Sequence, residues 1–102
     1  MHLVQLLLPV RDESGRPFPR KLYDTLVDEL TDRFGGVTAY TRAPASGLWE
    51  ENSGRTVRDD VVVYEVMANQ LDERWWKALR TRLEKAFDQD ELVVRAHEIR
   101  RL

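Results

Sequence analysis

The apolar positions of this chain change their spacing from segment to segment, and each change marks an element. Residues 2–10 are an almost continuous apolar run, closed by Pro9 and by the polar stretch Arg11 to Pro17. Such a run, bounded by turn residues, predicts a central strand followed by a loop. Over residues 20–34 the spacing becomes helical: Leu22, Leu26, Leu30 and Phe34 recur at i+4, and Tyr23 and Val27 widen the stripe. Pro19 suits the first turn, and Gly35-Gly36 supplies a left-handed stop. Residues 37–42, rich in β-branched and aromatic side chains, predict a second strand. Residues 43–58 contain Pro44, Gly47, Asn52 and Gly54 with no sustained period, and they read as a long loop between strands. Residues 60–68, with Val61-Val62-Val63, give the clearest strand of all. Residues 72–87 predict a second helix, with Asp72 as its N-cap and Trp76, Leu79, Leu83, Ala86 and Phe87 as its buried stripe. A last strand spans residues 91–99.

The order βαββαβ is the split βαβ arrangement, so the expected fold is α+β and ferredoxin-like: a four-stranded antiparallel-type sheet with two helices on one face, in a single domain spanning residues 1–102. Right-handed crossovers are expected to put the first and third strands in the middle, parallel to each other. Strand alternation then sorts side chains by face. Val4, Leu6, Leu8, Val37, Ala39, Val62, Tyr64, Val66, Leu92, Val94 and Ala96 are expected under the helices. The opposite face receives Leu3, Leu7, Val61, Val63, Met67, Val93 and Ile99 among its polar members. A face left to water is mostly polar, so this one is expected to be covered by a second subunit or by a ligand.

Composition narrows the function classes. Hydrophobic residues make up 42% and charged residues 33% of the 102, as in ordinary globular domains. The net charge of −2 comes from 16 basic and 18 acidic residues without a basic stripe, which argues against nucleic-acid binding. No cysteine is present, which removes disulfides, thiol nucleophiles and iron–sulfur sites. The opening residues have no basic region, and their apolar run is too short for a signal peptide or a membrane span. The expected location is cytoplasmic, with no membrane association.

The polar members of the open face are Gln5, Tyr40, Arg42, Glu65, Arg95 and His97. A histidine and an arginine beside a carboxylate under an apolar cover can move a proton or bind an anion, and His97 with Glu65 is the acid–base pair this pattern suggests. Interface hydrogen bonds explain the same residues without catalysis. No metal is expected, because His2 and His97 fall on opposite faces and Glu50, Glu51, Asp59 and Asp60 lack the spacing of a calcium loop. No cofactor is implied: Gly35-Gly36 ends a helix, whereas phosphate loops open one. Of Trp75 and Trp76, about 100° apart on a helix, one is expected in the core and the other over its margin. Trp49, in the expected loop, is the remaining large aromatic, placed to cover the sheet face, a partner or a pocket.

Phe34-Gly35-Gly36-Val37-Thr38 followed by Gly47-Leu48-Trp49 resembles a family of small, uncharacterised bacterial proteins with a Phe-Gly-Gly-(hydrophobic)-Thr segment and, about ten residues on, Gly-x-Trp. The resemblance spans roughly residues 34–66. It implies a ferredoxin-like fold and carries over no catalytic residue. No motif identifies a reaction, so binding is favoured over catalysis. The leading expectation is a small homodimeric binding or accessory protein using the open face and the 43–58 loop. The alternatives are a small-molecule-binding protein or enzyme of the dimeric α/β-barrel type, with a pocket between the sheet and Trp49, and a protein-interaction module. Tyr40, Arg42, Trp49, Glu65 and His97 are the candidate ligand or interface residues.

Overall fold

The computed structural model describes the backbone of residues 1–50 and 56–102 and the side chains of 1–41 and 60–102. Its elements are β1 (His2–Pro9), α1 (Arg20–Phe34), β2 (Thr38–Glu50), β3 (Thr56–Ala68), α2 (Glu73–Ala86) and β4 (Val93–Glu98). The strands form one sheet in the order β2-β3-β1-β4. The chain is α+β and ferredoxin-like.

One side of the sheet is sealed by both helices. Val4, Leu6 and Leu8 of β1 and Val62, Tyr64 and Val66 of β3 share a single cluster with Leu26 and Leu30 of α1, Trp76, Leu79 and Leu83 of α2, and Phe87. Each such side chain contributes roughly 1.5–3 kcal/mol by leaving water. Local chemistry sets the helix ends. Gly35 takes φ 82°, the left-handed conformation that carries no Cβ penalty in glycine, and its N–H donates to the Thr31 carbonyl at 2.8 Å. Gly36 needs no such conformation. At the start of α2, the Asp72 carboxylate accepts from the Trp75 N–H at 3.1 Å. Trp76 is buried, whereas Trp75 is half-buried and carries the Arg33 guanidinium 4.3 Å above its ring.

Two expectations are corrected. The central strands β1 and β3 are antiparallel, not parallel. A helical crossover can return the chain parallel to β1 only as β2, leaving one strand's width between them. The hairpin from β2 then brings β3 into that gap, running against both neighbours. Residues 43–50 and 56–58 are not a loop either: β2 continues to Glu50 and β3 begins at Thr56, with Leu48 opposite Arg58 and Trp49 opposite Val57; residues 51–55 lie outside the described residues. Between Tyr40 and Ala45 the register shifts, which accommodates Pro44 on an edge strand without a ladder donor. Backbone pairing requires no apolar alternation, so a hairpin arm beyond the core leaves little periodic trace. The ladder between β1 and β3 ends at Pro9 opposite Val61, and beyond it the two arm strands pair with each other.

Candidate functional site

The open face is ordered in three rows by the strand register. The middle row runs Thr38, Glu65, Gln5, Arg95 across β2, β3, β1 and β4. On one side lie Tyr40, Val63, Leu7 and Val93, and on the other Met67, Leu3 and His97. A polar row is therefore bracketed by two largely apolar ones.

Arg95, Gln5 and Glu65 of the middle row are joined by side-chain hydrogen bonds. Arg95 Nε donates to Gln5 Oε1 at 2.9 Å, and Gln5 Nε2 donates to Glu65 Oε1 at 2.7 Å. From the next row, the Tyr40 hydroxyl donates to Glu65 Oε2 at 3.3 Å. Both Glu65 oxygens are thus engaged, and the Gln5 amide transmits the pairing between a guanidinium and a carboxylate on non-adjacent strands. The negative charge of Glu65 raises the Tyr40 pKa above 10, first by repelling the phenolate and second through the hydrogen bond to the neutral phenol.

This geometry unites only part of the expected site. Tyr40 and Glu65 are in contact. His97 is not beside Glu65: it sits opposite Leu3 on β4, two strands and one row away, so the offset is about 10 Å sideways alone. The expected acid–base pair is therefore not formed. Arg95 occupies the place expected of His97, because it is the β4 residue in register with Gln5. The pair that completes the row, Gln5 and Arg95, carries no motif. Only pairing register identifies it, and a single sequence leaves register unspecified. Arg42 and Trp49 lie outside the residues whose side chains are described.

Apolar groups dominate the exposed part of this face. Tyr40, Met67 and Val93 retain 53%, 46% and 45% of their accessible surface. They are the large hydrophobic residues that stand exposed within strands among the described residues, and all three point away from the helices. Where the face meets the end of α1, an open depression of about 770 Å³ is lined by Leu3, Thr38, Glu65, Met67, Asn69 and Arg101 among others. It mixes one carboxylate and two guanidinium-bearing residues, including Arg33, with thioether and aliphatic groups. Among the described residues no cluster of three or more potential ligands could hold a metal ion. His2 lies near Glu98 at 3.8 Å, on the side of the sheet away from His97. No helix among the described residues is long and apolar enough to cross a membrane.

No protein-family model matches the chain, and no curated protein matches its sequence. Solved structures share its fold. A phage SAM lyase in complex with S-methyl-5'-thioadenosine aligns with a TM-score of 0.61 at 16% identity, over 95% of this chain and 80% of the other. The divalent cation tolerance protein CutA1 from Thermus thermophilus aligns with a TM-score of 0.61 at 14% identity, over 97% and 84%. A substituted CutA1 from Pyrococcus horikoshii aligns at 0.59 and 12% identity, over 100% and 86%. These likenesses extend over nearly the whole chain and concern its fold.

Proposed function

We propose that this protein is a small self-associating binding or accessory protein, in its simplest form a homodimer, whose interface is the open sheet face and the hairpin arm beside it. The observation that carries the reading is the placement of Tyr40, Met67 and Val93, exposed in strands and all on one face with Leu3, Leu7 and Val63 between them. Apolar surface concentrated in this way is characteristic of an interface. The paired arm adds to it, since a two-stranded ribbon is marginal in water until something packs on it. A cytoplasmic setting belongs to the proposal and is compatible with a chain that has no cysteine. The Phe34-Gly35-Gly36-Val37-Thr38 and Gly47-Leu48-Trp49 resemblance fits the same reading, because both segments border this surface along the chain into β2.

Sedimentation at micromolar concentration tests it. The expected mass is a multiple of 12.0 kDa for the wild type, falling to that of one chain in the Met67→Lys/Val93→Lys variant. Both positions are exposed, so the variant keeps its fold. A wild type sedimenting as one chain overturns the reading.

A second reading rests on the depression lined by Thr38, Glu65 and Asn69: a small-ligand site, for which the nucleoside bound by the phage lyase is a first probe. Calorimetric titration with S-methyl-5'-thioadenosine checks it. Heat that disappears in Glu65→Ala supports a site there, and no heat at millimolar ligand removes that ligand from consideration.

A further inference from the structure

The polar row limits what can cover the open face. Arg95 and Glu65 stand on either side of Gln5, one on β4 and the other on β3, each one strand from β1. In the single chain both remain partly open to water. An apolar cover would strip that water from a guanidinium and a carboxylate whose hydrogen bonding is incomplete, and such desolvation is costly unless the cover brings opposite charges to the same places.

A second copy of this chain meets that requirement by symmetry. Consider two sheets packed face to face about a two-fold axis that runs parallel to the strands above β1. Because β3 and β4 flank β1 at equal spacing, each about 4.8 Å away, the axis sets β4 of one copy over β3 of the other. Arg95 of each copy then faces Glu65 of the other, twice over. In the adjoining rows the axis sets Leu7 over Leu7, Val63 over Val93, Leu3 over Leu3 and Met67 over His97, while β2 with Tyr40 extends past the edge of the partner's β4. The charged row is the middle one of three, so it lies near the crossing point of the sheets and stays in register despite the roughly 30° angle between packed sheets. A two-fold axis running across the strands instead places Arg95 over Arg95 and Glu65 over Glu65, and that arrangement is selected against.

We propose that the Arg95–Gln5–Glu65 row is a self-complementary charge code, and that the open face pairs with a second copy of this chain through reciprocal Arg95 to Glu65 contacts. This rests on the self-association reading and specifies its register.

Charge reversal tests it. Arg95→Glu and Glu65→Arg, made separately, each place like charges together twice and are expected to weaken self-association at least tenfold. An equimolar mixture of the two restores attraction at both contacts, so it is expected to sediment as a heterodimer, and the chain carrying both substitutions is expected to self-associate again. Circular dichroism establishes that each variant is folded. If Glu65→Arg does not fold, Glu65→Gln replaces it and is expected to weaken association severalfold. A monomeric wild type overturns the self-association reading together with this proposal. A self-associating wild type whose folded single variants associate unchanged, or whose mixture fails to associate, overturns the charge code alone.

Discussion

A glutamine near the middle of a central strand must satisfy both ends of its amide, and Gln5 does so with groups of opposite charge: its oxygen accepts from Arg95, and its nitrogen donates to Glu65. The arrangement makes Glu65 the negative centre of the face, and Tyr40 reports on it. Because Glu65 repels the phenolate, Tyr40 is expected to titrate above 10 in the wild type and to move back towards 10 in Glu65→Gln, as followed by the chemical shift of its ring Cζ. An unchanged midpoint shows that the two groups are uncoupled in solution. Tyr23 and Tyr64 report on the other face. Burial raises both pKa values above 10, and the Tyr23 hydroxyl donates to the Pro9 carbonyl at 2.6 Å. A raised folded-state value means that the native state holds protons which the unfolded state has released. Stability from these tyrosines is therefore fully present below pH 10 and is lost as pH rises through the folded-state values. Tyr23→Phe is expected to cost about 1 kcal/mol at pH 7 through its lost hydrogen bond and to flatten the decline above pH 10. Urea unfolding at both pH values measures each effect, and an equal loss across the range refutes the linkage.

At the scale of elements, legibility followed the hydrophobic core. The α1 helix was readable to its last residue, since its i+4 stripe meets a core and its end meets a left-handed glycine. The same held for α2 within one residue at either end. Its Asp72 cap combines a hydrogen bond to the Trp75 N–H with an ion pair to Arg33 at 3.5 Å. Asp72→Ala is expected to cost about 1 kcal/mol, mainly through the cap, because the ion pair is exposed. Asp72→Asn keeps a capping oxygen and is expected to recover most of that loss in thermal unfolding. The hairpin was not legible. Residues 46–50 and 56–60 pair with each other past the end of the β1 ladder, so backbone pairing orders these strands, and Pro44, Gly47 and Gly54 read as loop punctuation. The candidate site was half legible for a related reason. Alternation placed Tyr40 and Glu65 on one face, but their neighbours depend on register. That register moved Arg95, rather than His97, into the Gln5 row.

For the whole molecule, the same sheet serves two environments. Its helix-covered side is closed by Leu6, Leu8, Leu30 and Phe87, all with essentially no surface left to water. Its other side shows water Tyr40, Met67 and Val93, and the proposed self-association would turn that exposure into buried area. On that proposal folding and association are coupled, and mass action would make the coupling visible: a species that binds only the native chain raises its apparent stability as its concentration rises. For a chain of this size, tenfold dilution of the wild type is expected to lower Tm by on the order of 3–5 °C. Met67→Lys/Val93→Lys, which leaves the helix-covered core untouched, is expected to melt at one temperature throughout the same range. The comparison isolates the face because both proteins share every core contact. A wild-type Tm that does not move over two decades of concentration means that the chain unfolds as a single copy and overturns the self-association proposal.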